Sequence, residues 1–263
     1  MMCTSILLNR QLYLALTLVV LISACSTENS QNSNGASNVA SAESLDVTSE
    51  MDETKEAELL GEPEETLSDI GMEGEPIRLL YLGDSITAGF GLGEEQAFPA
   101  LAQKKAEQAG FRTITVNAGV SGDTSTGGLN RINWLLKNRV DILILELGGN
   151  DGLRGVDLTL TEANLSAIIE KTKTAWPNVE IVVAGMMVPP NLGHEYTEAF
   201  RNMFPKVASR YNATLIPFVL EGVGGIRELN QPDGIHPTAE GHKLVAETVW
   251  NVIEPLLESR QDS

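Results

Sequence analysis

The chain has two cysteines in 263 residues, Cys3 and Cys25, and none after position 25. The body of the protein can therefore hold no disulfide framework. Basic residues are scarce too: 18 Lys and Arg stand against 36 Asp and Glu, a formal net charge of −18. That balance lacks the basic footprint of a nucleic-acid binder, and no nucleic-acid partner is expected. The apolar run 12–24 falls short of the roughly 20 residues that a stable transmembrane span requires. Aromatic residues are missing from positions 26–76, where fourteen acidic residues meet one lysine for a net of about −13. Such a segment cannot bury enough apolar surface to offset the entropy of ordering it.

What is present at the N-terminus is Arg10, the short apolar run, and Ile22-Ser23-Ala24-Cys25. A positive charge, an apolar stretch and small residues before a cleavage point make a secretory signal. Small residues directly before a cysteine resemble the lipobox of bacterial lipoproteins, in which the signal is removed and Cys25 becomes the lipidated first residue. An ordinary signal peptide with a chance cysteine is the competing reading. Ser26, following the cysteine, resembles the sorting pattern for the outer membrane of Gram-negative cells. The expected organisation is a signal at 1–24, a lipidated Cys25 with a disordered acidic linker to 76, and one domain at 77–263. The location expected is the bacterial cell envelope, lipid-anchored on the periplasmic side or at the outer membrane. As a flexible coil the linker would reach about 40 Å. An acidic interaction tail is the alternative for this stretch.

From Ile77 onward short apolar runs alternate with helical patterns. Strands are expected at 78–82, 113–118, 141–147, 180–185 and 214–218, and helices at 98–108, 128–138, 161–175, 197–211 and 237–258, with Pro237 in the first turn of the last. Five β units alternating with helices predict a parallel sheet covered on both faces. There is no internal repeat.

Each loop that follows a strand carries unusual polar groups. The first has Asp84-Ser85, the second Gly122-Asp123, the third Gly148-Gly149-Asn150-Asp151, and the one after the fifth strand Asp233-Gly234-Ile235-His236. In an open parallel sheet these loops share the carboxyl edge, where ligands bind. Acyl transfer by a serine needs an imidazole to take the hydroxyl proton and a carboxylate to hold that imidazole. Ser85, His236 and Asp233 can supply the set. A turn aspartate beside a histidine near a helix start is the plain structural alternative. The oxyanion requires aimed donors, and the candidates are the N–H groups of Ser85 and Gly122 and the Asn150 side-chain amide. Singly, a loop glycine or asparagine is ordinary turn chemistry.

In order and spacing, Gly83-Asp84-Ser85-Ile86, Gly122, Gly148-Gly149-Asn150-Asp151 and Asp233-Gly234-Ile235-His236 resemble the four blocks of the SGNH, or GDSL, hydrolases. Val120–Ser125, Glu146–Gly155 and Tyr196–Phe200 are similar to the branch of multifunctional bacterial thioesterases that also act as arylesterases and lysophospholipases. The resemblance spans nearly all of residues 77–257. It implies a three-layer α/β/α fold of flavodoxin type with a five-stranded parallel sheet, and hydrolysis of acyl esters and thioesters, lysophospholipid among them, without metal or cofactor. It assigns Ser85 as nucleophile, His236 as base, Asp233 as orienting acid, and Ser85, Gly122 and Asn150 as the oxyanion hole. It also implies that residues 153–157 form a mobile loop over the acyl chain, while 187–193 would be another wall. A monomer is expected. Ile86 departs from the leucine of the motif's name, a volume-conserving change.

Other readings fit less well. The Gly-x-Ser-x-Gly of α/β-hydrolases fails because Thr87 stands at the final glycine position. His194-Glu195 begins a zinc-protease motif, but Glu198 occupies the second histidine position, so no metal is expected. His242, inside the last helical pattern, reads as a packing or surface residue. Two rival functions remain: deacetylation of a polysaccharide or small ester by the same fold, and a tethered binding module without activity.

Overall fold

The structure, a computed structural model, describes residues 74–261. The expected signal, Cys25 and nearly all of the acidic linker lie outside the described residues. Five strands form: β1 (Ile77–Gly83), β2 (Thr113–Gly119), β3 (Ile142–Glu146), β4 (Glu180–Ala184) and β5 (Thr214–Ile216). They pair in parallel in the order β2-β1-β3-β4-β5, the flavodoxin order. Between and after them run α1 (Ser85–Ala88), α2 (Phe98–Gln108), α3 (Ser125–Leu135), α4 (Gly149–Leu153), α5 (Leu158–Ala175), α6 (His194–Tyr211) and α7 (Ala239–Gln261).

The layering follows from the handedness of the crossovers. A right-handed connection from β1 to β2 puts α2 on one face, while connections running the opposite way along the sheet put α3, α5 and α6 on the other. In agreement, α2 packs with α7, α3 with α5, and α5 with α6. The inner strand β3 is buried at every position, and that is why it reads as an unbroken apolar run. At the sheet edge, β2 leaves Val116 41% exposed.

The element boundaries differ from the sequence expectation where side-chain caps decide them. The Thr124 hydroxyl accepts the Gly127 N–H at 3.3 Å, so α3 starts at Ser125 rather than 128. The Asp157 carboxylate accepts the Thr159 N–H at 2.9 Å, so α5 starts at Leu158 rather than 161. Pro237 lies outside α7: it forms an isolated antiparallel bridge with Asn230, and Thr238 Oγ1 accepts the Gly241 N–H at 3.2 Å, so the helix begins after that cap. Strand β5 stops at Ile216 because Pro217 has no N–H for a ladder. The sequence gives no sign of α1 and α4, because one turn of helix is too short to carry a period.

Residues 74–76 are already held by the domain. Arg112 Nη1 donates to Gly74 O at 2.7 Å and Arg139 Nη2 to Pro76 O at 2.8 Å, and Arg139 also contacts Glu75. Both arginines precede strands, so the chain enters at the amino edge of the sheet.

His242 is 1% exposed. Its Nδ1 accepts the Phe98 N–H at 3.2 Å, which makes it a packing residue tying α7 to α2. Burial pushes its pKa from 6.5 down to about 4, with His236 nearby adding to the effect. A histidine held neutral in the fold takes up its proton on unfolding, so stability is lost as pH falls from about 6.5 toward about 4, by up to about 3 kcal/mol. His242→Gln keeps an acceptor for the Phe98 N–H and cannot titrate. Between pH 7 and 4.5, wild type should lose more unfolding free energy than His242→Gln in urea titrations; parallel losses would contradict this account.

Candidate active site

All five strands point the same way, so the loops after β1, β2, β3 and β5 meet at one edge. Ser85 is the first residue of α1, and the Asp84 carboxylate caps that helix by accepting the Ile86 N–H at 3.0 Å. Ser85 Oγ lies 2.9 Å from His236 Nε2, and His236 Nδ1 lies 2.7 Å from Asp233 Oδ2. Asp233 Oδ1 accepts the N–H groups of Ile235 and His236 at 2.9 and 3.0 Å. The hydrogen bond from the His236 ring, helped by these two backbone donors, holds the Asp233 carboxyl down at about 2. Its charge therefore persists wherever the imidazole changes state. Asp233 thus uses one oxygen for the turn and the other for the His236 ring.

The sequence reading missed the residues that hold the histidine loop. The Phe90 ring centroid is 4.5 Å from that of His236, although Phe90 is 47% exposed. Gln231 Nε2 donates to Phe90 O at 2.7 Å and to Pro237 O at 3.0 Å, and Gln231 N–H donates to His236 O at 2.7 Å. The loop after β1 and the loop before α7 are thus clamped together. A large aromatic between Gly89 and Gly91 was the available signal.

Asn150 sits in α4, and its Nδ2 donates to Asp84 Oδ2 at 3.0 Å and to Asp123 O at 2.9 Å. The Asp151 carboxylate locks α4 in place: it accepts the Ser125 N–H at 2.9 Å and the hydroxyls of Ser125 and Thr161 at 2.6 and 3.2 Å. Gly122 has φ +79°, a conformation open mainly to glycine. It stands apart from the residues that line the cavity described below. Its loop is nevertheless tied to the Ser85 turn, since the Val120 N–H and Arg131 Nη2 both donate to Gly83 O, at 3.1 and 3.0 Å. Arg131 Nε also meets Asp123 Oδ2 at 2.8 Å.

Ser85, Asn150 and His236 open onto a cavity of about 340 Å³ that Asp84 and Asn230 also line and whose remaining side chains are apolar, among them Ile86, Leu153, Met186, Val188, Phe218 and Leu220. That is the lower part of the range for small-molecule sites. Met187 and Pro189 from the expected 187–193 wall also line it. Of the expected 153–157 loop, Leu153 lines the cavity and ends α4, and Asp157 caps α5. His194 and Glu195 are the first residues of α6. Among the described residues no group of three or more His, Cys, Asp or Glu is arranged to hold a metal ion.

The chain is similar to known proteins. The family described as GDSL-like Lipase/Acylhydrolase matches residues 81–244. Esterase TesA of Pseudomonas aeruginosa is 41% identical over 180 residues, 68% of this chain and 89% of that protein. Thioesterase 1/protease 1/lysophospholipase L1 of Escherichia coli K12 is 39% identical over 180 residues, 68% of this chain and 84% of that protein. The crystal structure of the psychrotrophic esterase EstA from Pseudoalteromonas sp., inhibited by monoethylphosphonate, matches with a TM-score of 0.65 at 31% identity, covering 69% of this chain and 98% of that one.

Proposed function

This chain belongs to the GDSL-like lipase/acylhydrolase family and is an ester hydrolase, and on that premise we propose that Ser85 is its nucleophile, His236 its base and Asp233 the carboxylate that orients the base. The observation that carries the reading is the pair of contacts at 2.9 and 2.7 Å running from Ser85 Oγ through the imidazole to Asp233. Ser85 Oγ attacks the acyl carbonyl carbon while His236 Nε2 takes its proton. The tetrahedral intermediate then collapses, His236 returns the proton to the departing alcohol or thiol, and an acyl group is left on Ser85. Water, deprotonated by the same imidazole, releases the acid.

The developing oxyanion is stabilised by the N–H groups of Ser85 and Gly122 and by the Asn150 amide. Ser85, as the first residue of α1, has no intrahelical acceptor for its N–H. The Asn150 amide already donates to Asp84 Oδ2 and Asp123 O, so it serves the oxyanion by sharing one of these hydrogens.

The substrates are acyl esters and thioesters of the arylesterase, thioesterase and lysophospholipase type, in keeping with the names of the relatives. A largely apolar cavity of about 340 Å³ beside Ser85 is larger than an acetyl group needs, which suits a longer acyl chain and disfavours the deacetylase reading. The aligned serine and imidazole disfavour an inactive binding module. We place the enzyme in the bacterial envelope as a monomer anchored through lipid on Cys25, a reading supported by Ile22-Ser23-Ala24-Cys25 and the acidic spacer. Among the described residues no helix is long and apolar enough to cross a membrane.

A fluorophosphonate probe should label wild type and not Ser85→Ala; equal labelling of the variant would end the serine assignment. On a soluble aryl ester, Asn150→Ala should turn over about a hundredfold more slowly, and wild-type rates would remove Asn150 from the oxyanion hole. Fractionation tests the anchor: Cys25→Ser should move the protein out of the membrane fraction, whereas unchanged retention would refute lipid anchoring through Cys25.

A further inference from the structure

The mechanism leaves one buried ionisable group unused. Glu146 closes β3, whose other residues are Ile142-Leu143-Ile144-Leu145, and it is 1% exposed. Burying a carboxyl at the end of an apolar strand costs free energy unless its oxygens are bonded. Here Glu146 Oε2 accepts the Thr87 hydroxyl at 2.7 Å and, at a longer 3.5 Å, the Asp84 N–H. Ser85 lies between those two donors. The short helix bearing the nucleophile is therefore held on both sides of Ser85 by one oxygen rooted in a central strand.

The same network reaches Asn150. Asp84, 3% exposed, uses Oδ1 for the Ile86 N–H and Oδ2 for the Asn150 amide. Burial pushes Asp84 up to about 6, and Glu146 is pushed well above the usual carboxylate range by burial first and then by the Asp84 charge. Gly83 shows how tightly the group is packed: a Cβ there would lie 1.9 Å from Thr87 Oγ1 and 2.7 Å from Glu146 Oε2. Glycine in the Gly83-Asp84-Ser85 motif is thus required by the carboxyl and hydroxyl behind it.

We propose that Glu146 is a positioning residue for the hydrolysis, fixing the Ser85 turn through Thr87 and the Asp84 N–H and, through Asp84, the Asn150 amide. The proposal rests on Ser85 being the nucleophile. Glu146 touches no substrate. Its function is to keep Oγ on line with His236 Nε2 while the amide stays at the height of the oxyanion.

The test compares Glu146→Leu, Glu146→Gln and Thr87→Val in the full chain, measuring kcat and KM on a soluble aryl ester, the rate of fluorophosphonate labelling, and the melting temperature. Leucine continues the apolar run of β3. Glu146→Leu should fold but lose about 100-fold in kcat and in labelling rate, with KM within about twofold, as expected for a misplaced nucleophile. Glutamine retains a neutral acceptor for the Thr87 hydroxyl and should recover most of that loss. Thr87→Val removes one bond only and should lower kcat by about tenfold at unchanged KM; it decides the matter if Glu146→Leu does not fold. The proposal is overturned if Glu146→Leu, or failing that Thr87→Val, stays within about threefold of wild-type kcat, or if glutamine is no better than leucine. Wild type that does not label would instead sink the Ser85 assignment itself, so the two failures are distinguishable.

Discussion

The contact between Ser85 Oγ and His236 Nε2 joins residues 151 positions apart at 2.9 Å, and the architecture makes that closure possible. The strand order β2-β1-β3-β4-β5 sets β1 inside the sheet, so its carboxyl end is flanked by the loops after β2 and β3. Asp123 O and the Asn150 amide meet there. The chain then crosses to β5 and returns over the same edge before α7 begins, bringing Asp233 and His236 with it. Such a contact depends on two rigid supports. Core packing of β1 provides one, and the clamp made by Gln231 and Phe90 provides the other.

The fold was legible because β3 and β4 are covered on both faces and so read as unbroken apolar runs, while the helices carry a 3.6-residue period. The boundaries were less legible because they are set by single side chains, such as Thr124, Asp157 and Thr238, whose capping role competes with many other uses of the same residue types. Ser85, Asn150, Asp233 and His236 stood out because each is polar at a strand end. Their supports did not. Phe90 resembles any loop aromatic until its ring is seen against His236, and Gln231 acts through contacts to Phe90 and Pro237 that no local pattern encodes. Glu146 left a signal that the sequence reading did not use, a lone carboxyl ending Ile-Leu-Ile-Leu, and its partners were hidden.

Burial and hydrogen bonding act unequally on the carboxyls around Ser85. Asp233 is held low by three donors and keeps its charge beside the imidazole. Glu146 is pushed well above the usual carboxylate range, first by burial and then by the Asp84 charge. Asp84 lies between, near about 6, where burial works against the donors Ile86 N–H and Asn150. The outcome is a carboxylate, Asp233, beside the imidazole and a second carboxyl, Asp84, that holds the Asn150 amide. Arg131, paired with Asp123, offsets the remaining nearby acid.

The two edges of the sheet carry different tasks. Gly74 and Pro76 are bound at the amino edge by Arg112 and Arg139, whereas the candidate active site is at the carboxyl edge. A seven-residue strand such as β1 is about 23 Å long, so the entry of the chain at Gly74 and the candidate active site lie about that far apart. In the proposed anchored form, the tether would therefore join the domain at the edge opposite the candidate active site, so the point of attachment leaves the mouth of the apolar cavity unobstructed.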